Sequence, residues 1–201
     1  MEKLPTPFES PSLASPATKG TPEERTPRER PIVLVGLMGV GKSTVGRRLA
    51  RRLGLPFVDS DSAIEDAAGG ASTAEVFELY GEAEFRDGER RLVARLVEGE
   101  RRVIATGGGA FVNEATRKLL KAQAITVWLD APIDVLAERT ARRDNRPLLK
   151  TGNRAETLAR LDRERRPHYA EADIHVRSGD GAHGDVVDAI IAALHDWLAK
   201  K

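Results

Sequence analysis

Eight consecutive residues, Gly36-Leu37-Met38-Gly39-Val40-Gly41-Lys42-Ser43, satisfy the pattern G-x-x-x-x-G-K-[ST], and each fixed type in it has a use against a phosphate chain. Glycines let successive backbone N–H groups turn inward around phosphate oxygens, and a helix beginning here adds its positive N-terminal end. Lys42 can reach the β and γ oxygens, and the Ser43 hydroxyl is a ligand for Mg²⁺. The same loop serves kinases, GTPases, motor ATPases and nucleotide-sensing modules, so the residues on the acceptor side must decide among them.

Three further segments carry that information. Asp59-Ser60-Asp61 follows a second apolar run. Strand alternation would point Asp59 and Asp61 the same way, toward a metal and an acceptor, although a paired acidic turn also suits a helix N-cap. Thr106-Gly107-Gly108-Gly109-Ala110 follows a third apolar run. It suits close approach of a ligand to bare backbone N–H groups, or else a flexible strand-to-helix turn. Gly81-Glu82-Ala83-Glu84-Phe85-Arg86 lies between them, and Glu89 stands three residues beyond Arg86, on the same helical face, where it can hold the guanidinium.

The elements that must position these residues are read from periodicity. Short β-branched runs at Ile32 to Val35, Phe57 to Val58, Val103 to Ala105, Ile125 to Leu129 and Ile174 to Val176 alternate with amphipathic helical stretches. That alternation predicts an α/β fold with a parallel sheet covered on both faces. Val45, Leu49 and Leu53, followed by Gly54, predict a helix directly after the phosphate loop. Val186, Val187, Ile190, Ile191, Leu194 and Trp197 form one stripe of a last helix over Val186 to Leu198.

Composition removes several function classes. The chain has 201 residues, one domain's length, and its 32 Lys and Arg against 31 Asp and Glu create no global field that would draw nucleic acid or an anionic membrane. No apolar run reaches about 18 residues, so no membrane span is expected. Cys is absent, which excludes thiolate chemistry, and His175, His183 and His195 lack metal-ligand spacing. Residues 1–30 hold six of the 11 prolines with balanced charge and predict a disordered tail rather than a secretory or organellar leader.

Together these motifs resemble the shikimate kinase family from Pro31 nearly to the C-terminus: the Gly36–Ser43 loop with Thr44 after it, Asp59-x-Asp61, Phe85-Arg86, Gly107-Gly108-Gly109, Arg146-Pro147-Leu148-Leu149 and Arg165-x-Pro167-x-Tyr169. The resemblance implies a three-layer P-loop kinase fold with a five-stranded parallel sheet in the order 2-3-1-4-5. It places the domain at 31–201, an acceptor-binding region at about 59–92 and a mobile lid at about 139–153. The implied activity is ATP-dependent phosphorylation of the 3-hydroxyl of shikimate, with Mg²⁺, by a cytoplasmic monomer with no nucleic-acid or membrane partner.

On this resemblance Asp61 meets the acceptor's ring hydroxyls. Arg86 and Arg165 clamp its carboxylate, and the glycines Gly107, Gly108 and Gly109 complete the pocket. Gly39, Val40, Gly41, Lys42, Ser43 and Thr44 hold ATP, Arg139 stacks on adenine, and Arg146 reaches the transferring phosphoryl group from the lid. Lys42, Asp61 and Arg146 are the implied catalytic residues; Ser43, and Asp59 through water, hold the metal. Nearby arginines are expected to keep Asp61 ionised and therefore weakly basic. Three features depart from the family pattern: His168 stands where Leu is usual, 177–184 does not align with the adenine-contacting loop, and the tail has no counterpart.

Overall fold

The computed structural model describes residues 25–141, 153–178 and 183–201. Among these the elements run β1 (Ile32–Val35), α1 (Lys42–Leu53), β2 (Phe57–Asp59), α2 (Ser60–Ala67), α3 (Thr73–Glu98), β3 (Val103–Ala105), α4 (Glu114–Gln123), β4 (Ile125–Asp130), α5 (Ile133–Ala141), α6 (Arg154–Tyr169), β5 (Ile174–Arg177) and α7 (His183–Leu198). The five strands form one sheet in the order β2-β3-β1-β4-β5, as expected, and every neighbouring pair is parallel.

The sequence reasons for this order are visible in β1. Its four residues, Ile-Val-Leu-Val, are 0 % exposed, which requires cover on both faces and neighbours on both edges. Register places Ile32 beside Val103 on one side and Ile125 on the other. The chain crosses from β1 to β2 in one direction and returns from β2 to β3 in the other, so right-handed crossovers put α1 and α3 on opposite faces. α1 shares its face with α7, and α3 packs on α4. β1 therefore delivers the phosphate loop at the middle of the sheet's carboxyl edge, with the ends of β2 and β3 to one side and those of β4 and β5 to the other.

The helix after the phosphate loop ends as the sequence predicts, with Gly54 at φ 65° donating its N–H to Ala50 and Arg51 carbonyls. α3 is different. Its axis breaks at Gly81, where φ is 77° and ψ 168°, and this turn aims the second half of the helix, carrying Arg86 and Glu89, at the end of β3. A Cβ at Gly81 would meet no atom within 4 Å, so only backbone conformation demands glycine there. Gly81→Ala is expected to cost about 1 kcal/mol, seen as a lower urea midpoint, and to raise the acceptor KM by disturbing the direction of Arg86.

Most of the expected tail lies outside the described residues, but its last six residues are docked. Thr26 and Glu29 close a capping box around a 3-10 turn at Pro27–Glu29, and Arg25 donates to the carbonyls of Val97 and Glu98 at the end of α3. A cation on the carbonyl end of a helix is favourable, so Arg25 tethers the segment before β1 to the end of α3.

Candidate active site

Gly36, Gly39 and Gly41 all take positive φ in the phosphate loop. Gly39 is also pressed against α5, where a Cβ would lie 2.7 Å from Thr140 Cγ2. The Lys42 ammonium is held along the loop by the carbonyls of Gly36 at 2.8 Å and Leu37 at 3.0 Å. α1 begins at Lys42 with Gly41 at its N-cap and no side-chain cap, whereas Asp59, Ser72, Asn113 and Asn153 cap α2, α3, α4 and α6. The first N–H groups of α1, including those of Ser43 and Thr44, are thus left by the helix for an anion.

The residues expected on the acceptor side converge on the three glycines. A Cβ on Gly107 would sit 2.7 Å from Asp61 Oδ1 and 2.9 Å from Glu89 Oε1, and one on Gly109 would sit 2.9 Å from Arg86 Nη1. The bare backbone lets two carboxylates and a guanidinium crowd against it, a closeness that a side chain at these positions would prevent. Gly108 faces the other way: its Cβ would lie 3.5 Å from Met38 N and 3.6 Å from Gly36 O and Arg165 Nη1. Arg165 Nη1 donates to the Gly108 carbonyl at 3.2 Å, and the Tyr169 hydroxyl donates to the same oxygen. Arg86 is braced as the helical spacing predicts, with Nη1 2.8 Å from Glu89 Oε2.

Asp59 and Asp61 reach the site differently from the strand-alternation expectation. The chain turns helical at Ser60, so Asp59 caps α2, its Oδ1 accepting from Asp61 N at 3.1 Å and Ser62 N at 3.4 Å. Asp61 stands in the first turn. The cap reading therefore holds for Asp59, while Asp61 lies against Gly107 from the first turn of α2.

The electrostatics correct a second expectation. Burial, with the carboxylates of Asp59 and Glu89 adding to it, raises the Asp61 carboxyl to about 6, against the opposing charge of Lys42. Arginine does not keep Asp61 in the ordinary range because Arg86 is engaged by Glu89. Glu89 is itself raised, burial outweighing Arg86. Burial also lifts Tyr169 to about 12, so its hydroxyl stays a donor to Gly108.

On the nucleotide side, Arg139 at the end of α5 lies 3.5 Å through Nη1 from the Ser178 hydroxyl. Ser178 Oγ donates to the Val40 carbonyl of the phosphate loop at 3.3 Å. Arg146 and most of the expected lid lie outside the described residues.

The chain matches the shikimate kinase family over residues 38–195, a span holding nearly every residue just described. It belongs to the shikimate kinase family. The shikimate kinase of Rhodopseudomonas palustris is 55% identical over 170 residues, 85% of this chain and 83% of that protein. That of Novosphingobium aromaticivorans is 54% identical over 173 residues, 84% of this chain and 89% of that one. Among solved structures, a shikimate kinase from Acinetobacter baumannii in complex with shikimate superposes with a TM-score of 0.80 at 38% identity, covering 85% of this chain and 95% of its own. A gluconokinase from Sinorhizobium meliloti, at 19% identity and a TM-score of 0.59, shares the fold alone.

Of the site residues expected from the sequence, Lys42, Ser43, Asp59, Asp61, Arg86, Gly107, Gly108, Gly109 and Arg165 lie along one edge of the sheet, with Arg139 across the loop. Sequence reasoning assigned no role to Ser60 or Ser178. Ser60 is fully buried, and its hydroxyl accepts from Gly107 N at 3.1 Å, tying α2 to the glycine segment. A serine between two aspartates at a strand end was the available signal. Ser178 had none, since its partners Arg139, Asp130 and Val40 are 39 or more positions away from it.

Proposed function

We propose that this member of the shikimate kinase family transfers the γ-phosphoryl group of ATP to the 3-hydroxyl of shikimate. The observation that carries the reading is the juxtaposition at Gly108. One side of the three-glycine segment is lined by Asp61 and Arg86, while Gly108 itself abuts both Arg165 and the phosphate loop at Met38 and Gly36. An acceptor seated there lies next to the phosphates. Two guanidinium forks suit a planar carboxylate and disfavour a neutral sugar, and Asp61 can accept from ring hydroxyls.

Positioning and charge stabilisation do most of the work in phosphoryl transfer. Lys42 supplies a cation at the β and γ oxygens, and the α1 N-terminus supplies N–H donors. Asp61 orients the attacking hydroxyl and, with its carboxyl raised toward neutrality, is a better proton acceptor than an ordinary aspartate. Arg146 would bring a further cation to the transferring group, and Arg139 would pack against the adenine.

The residues present fit Mg²⁺ carried in with the nucleotide. Ser43 and Asp59 offer hard oxygen donors, both cap bonds of Asp59 go to Oδ1, and no cluster of three or more His, Cys, Asp or Glu among the described residues forms a separate cage. That is the pattern of a cation held by one or two side chains plus phosphates and water. When bound, the ion supplies charge neutralisation on the phosphate oxygens.

The direct test is ADP release from the purified protein with ATP and Mg²⁺. A shikimate-dependent rate of about 1 s⁻¹ or more is expected. ATP binding without shikimate-dependent release, or equal turnover with gluconate or AMP, would overturn the acceptor.

A further inference from the structure

Arg165 and Tyr169 stand one helical turn apart on α6 and converge on the Gly108 carbonyl. Core contact at that end of α6 comes from Tyr169, buried beside Trp128. The buried residues of the helix are Leu158, Leu161 and Tyr169, and Pro167 lies inside its last turns. Proline has no N–H for the carbonyl four residues earlier, so the helix is weakest in itself where Arg165 must be most exact. Apolar contact alone tolerates small rotations.

The neighbouring residue supplies a directional restraint. Arg166 grips Asp130, at the carboxyl end of β4, with two parallel bonds: Nη1 to Oδ2 at 3.1 Å and Nη2 to Oδ1 at 2.8 Å. Its Nε donates to Asp162 Oδ2 one turn back at 2.9 Å, and its guanidinium lies 5.1 Å from the Trp128 ring centroid. The His175 ring stacks on Trp128 at 4.0 Å, and its Nε2 is 3.5 Å from Asp130 Oδ2. Asp130 is anchored in the sheet, where its carbonyl accepts from Ser178 N at 2.6 Å. A fork-to-fork pair fixes both distance and rotation.

We infer that the Arg166–Asp130 pair is a positioning device for the acceptor clamp, setting the rotation of α6 and so the place at which Arg165 presents its guanidinium. Arg166 touches no reacting atom. The inference rests on the acceptor reading above, in which Arg165 holds the shikimate carboxylate.

Steady-state kinetics of the full chain separate the alternatives. Arg166→Met keeps the aliphatic stem over Trp128 and removes the fork. It is expected to raise the KM for shikimate about tenfold, the effect of losing roughly 1.4 kcal/mol of clamp placement, with kcat and the KM for ATP within about twofold. Arg166→Lys keeps charge without the fork and should recover only part of the loss. Asp130→Asn should shift the same constant, and the double variant should be no worse than Arg166→Met alone, as for two halves of one contact. If Arg166→Met does not fold, Arg166→Lys and Asp130→Asn carry the test. An unchanged shikimate KM in folded variants, or parallel changes in all three constants, would overturn the positioning role. A wild-type protein without shikimate-dependent turnover would instead overturn the acceptor reading, and the inference with it.

Discussion

Asp61→Asn is expected to lower kcat by about two to three orders of magnitude while making the ligand-free protein more stable at pH 8. The first effect follows from the role proposed for Asp61, orienting the acceptor hydroxyl and taking its proton, for which general-base losses of about 10²–10⁴ are usual. ATP affinity should be nearly intact, because the phosphate loop keeps Lys42 and its backbone donors. The second effect follows from the raised carboxyl. Folding lifts Asp61 from 3.8 to about 6, so the folded state holds a proton that the unfolded state has released between those values. The associated stability is fully present below the unfolded pKa and is lost as pH rises through the folded one. Above pH 6 the wild type carries the whole penalty, on the order of 1–3 kcal/mol; asparagine has no charge to bury. In Mg²⁺-free buffer the variant should melt a few degrees higher at pH 8, and the difference should vanish near pH 4. A melting temperature equal to or below wild type at pH 8 would show that Asp61 is not held against its charge.

Arg86→Ala should have the opposite signature, losing acceptor affinity and stability together. On the proposed role of Arg86 one fork of the carboxylate clamp disappears, and two charge-assisted bonds are worth about 3 kcal/mol, or roughly a hundredfold in shikimate KM. The variant also strands Glu89, whose side chain is 4 % exposed. Breaking a buried pair costs about 3–5 kcal/mol, and since Arg86 itself is 30 % exposed a value discounted below that range, about 2–3 kcal/mol, is expected. Glu89→Gln in the Arg86→Ala background should restore part of the stability and none of the affinity. Thermal denaturation beside shikimate titration separates the two losses; recovery of affinity by the double variant would contradict the assignment of Arg86 to the acceptor.

The chemistry that was legible in the sequence is the chemistry made by near neighbours. The phosphate loop is eight contiguous residues whose function lies in backbone direction, so composition and order suffice to read it. The Arg86–Glu89 brace is one helical turn long, and helix periodicity alone brings the two together. The strand candidates were legible for a similar reason: buried parallel strands are short unbroken apolar runs, and all five appear, lengthened by one residue where Asp59, Asp130 and Arg177 close β2, β4 and β5.

The remaining features depend on contacts between segments distant in the chain. Whether Asp59 and Asp61 form a strand pair or a cap and a first-turn residue turns on where β2 yields to α2, which one hydrogen-bonded Asp59 oxygen decides. The raised Asp61 carboxyl requires knowing that Glu89, 28 positions later, points into the same buried space, because burial and like charge act through distance and not through order. Ser60 on Gly107, Ser178 on Val40, and Arg166 on Asp130 are likewise joined only when the crossovers bring strand ends to one edge. By itself the sequence determined the alternation of elements, the phosphate grip and the residue types at the acceptor site, all properties of local periodicity. Only the tertiary structure decided which aspartate caps α2, the proton affinity of the other and what Arg166 grips beside Arg165, since these are energies of groups drawn together from separate helices and strands.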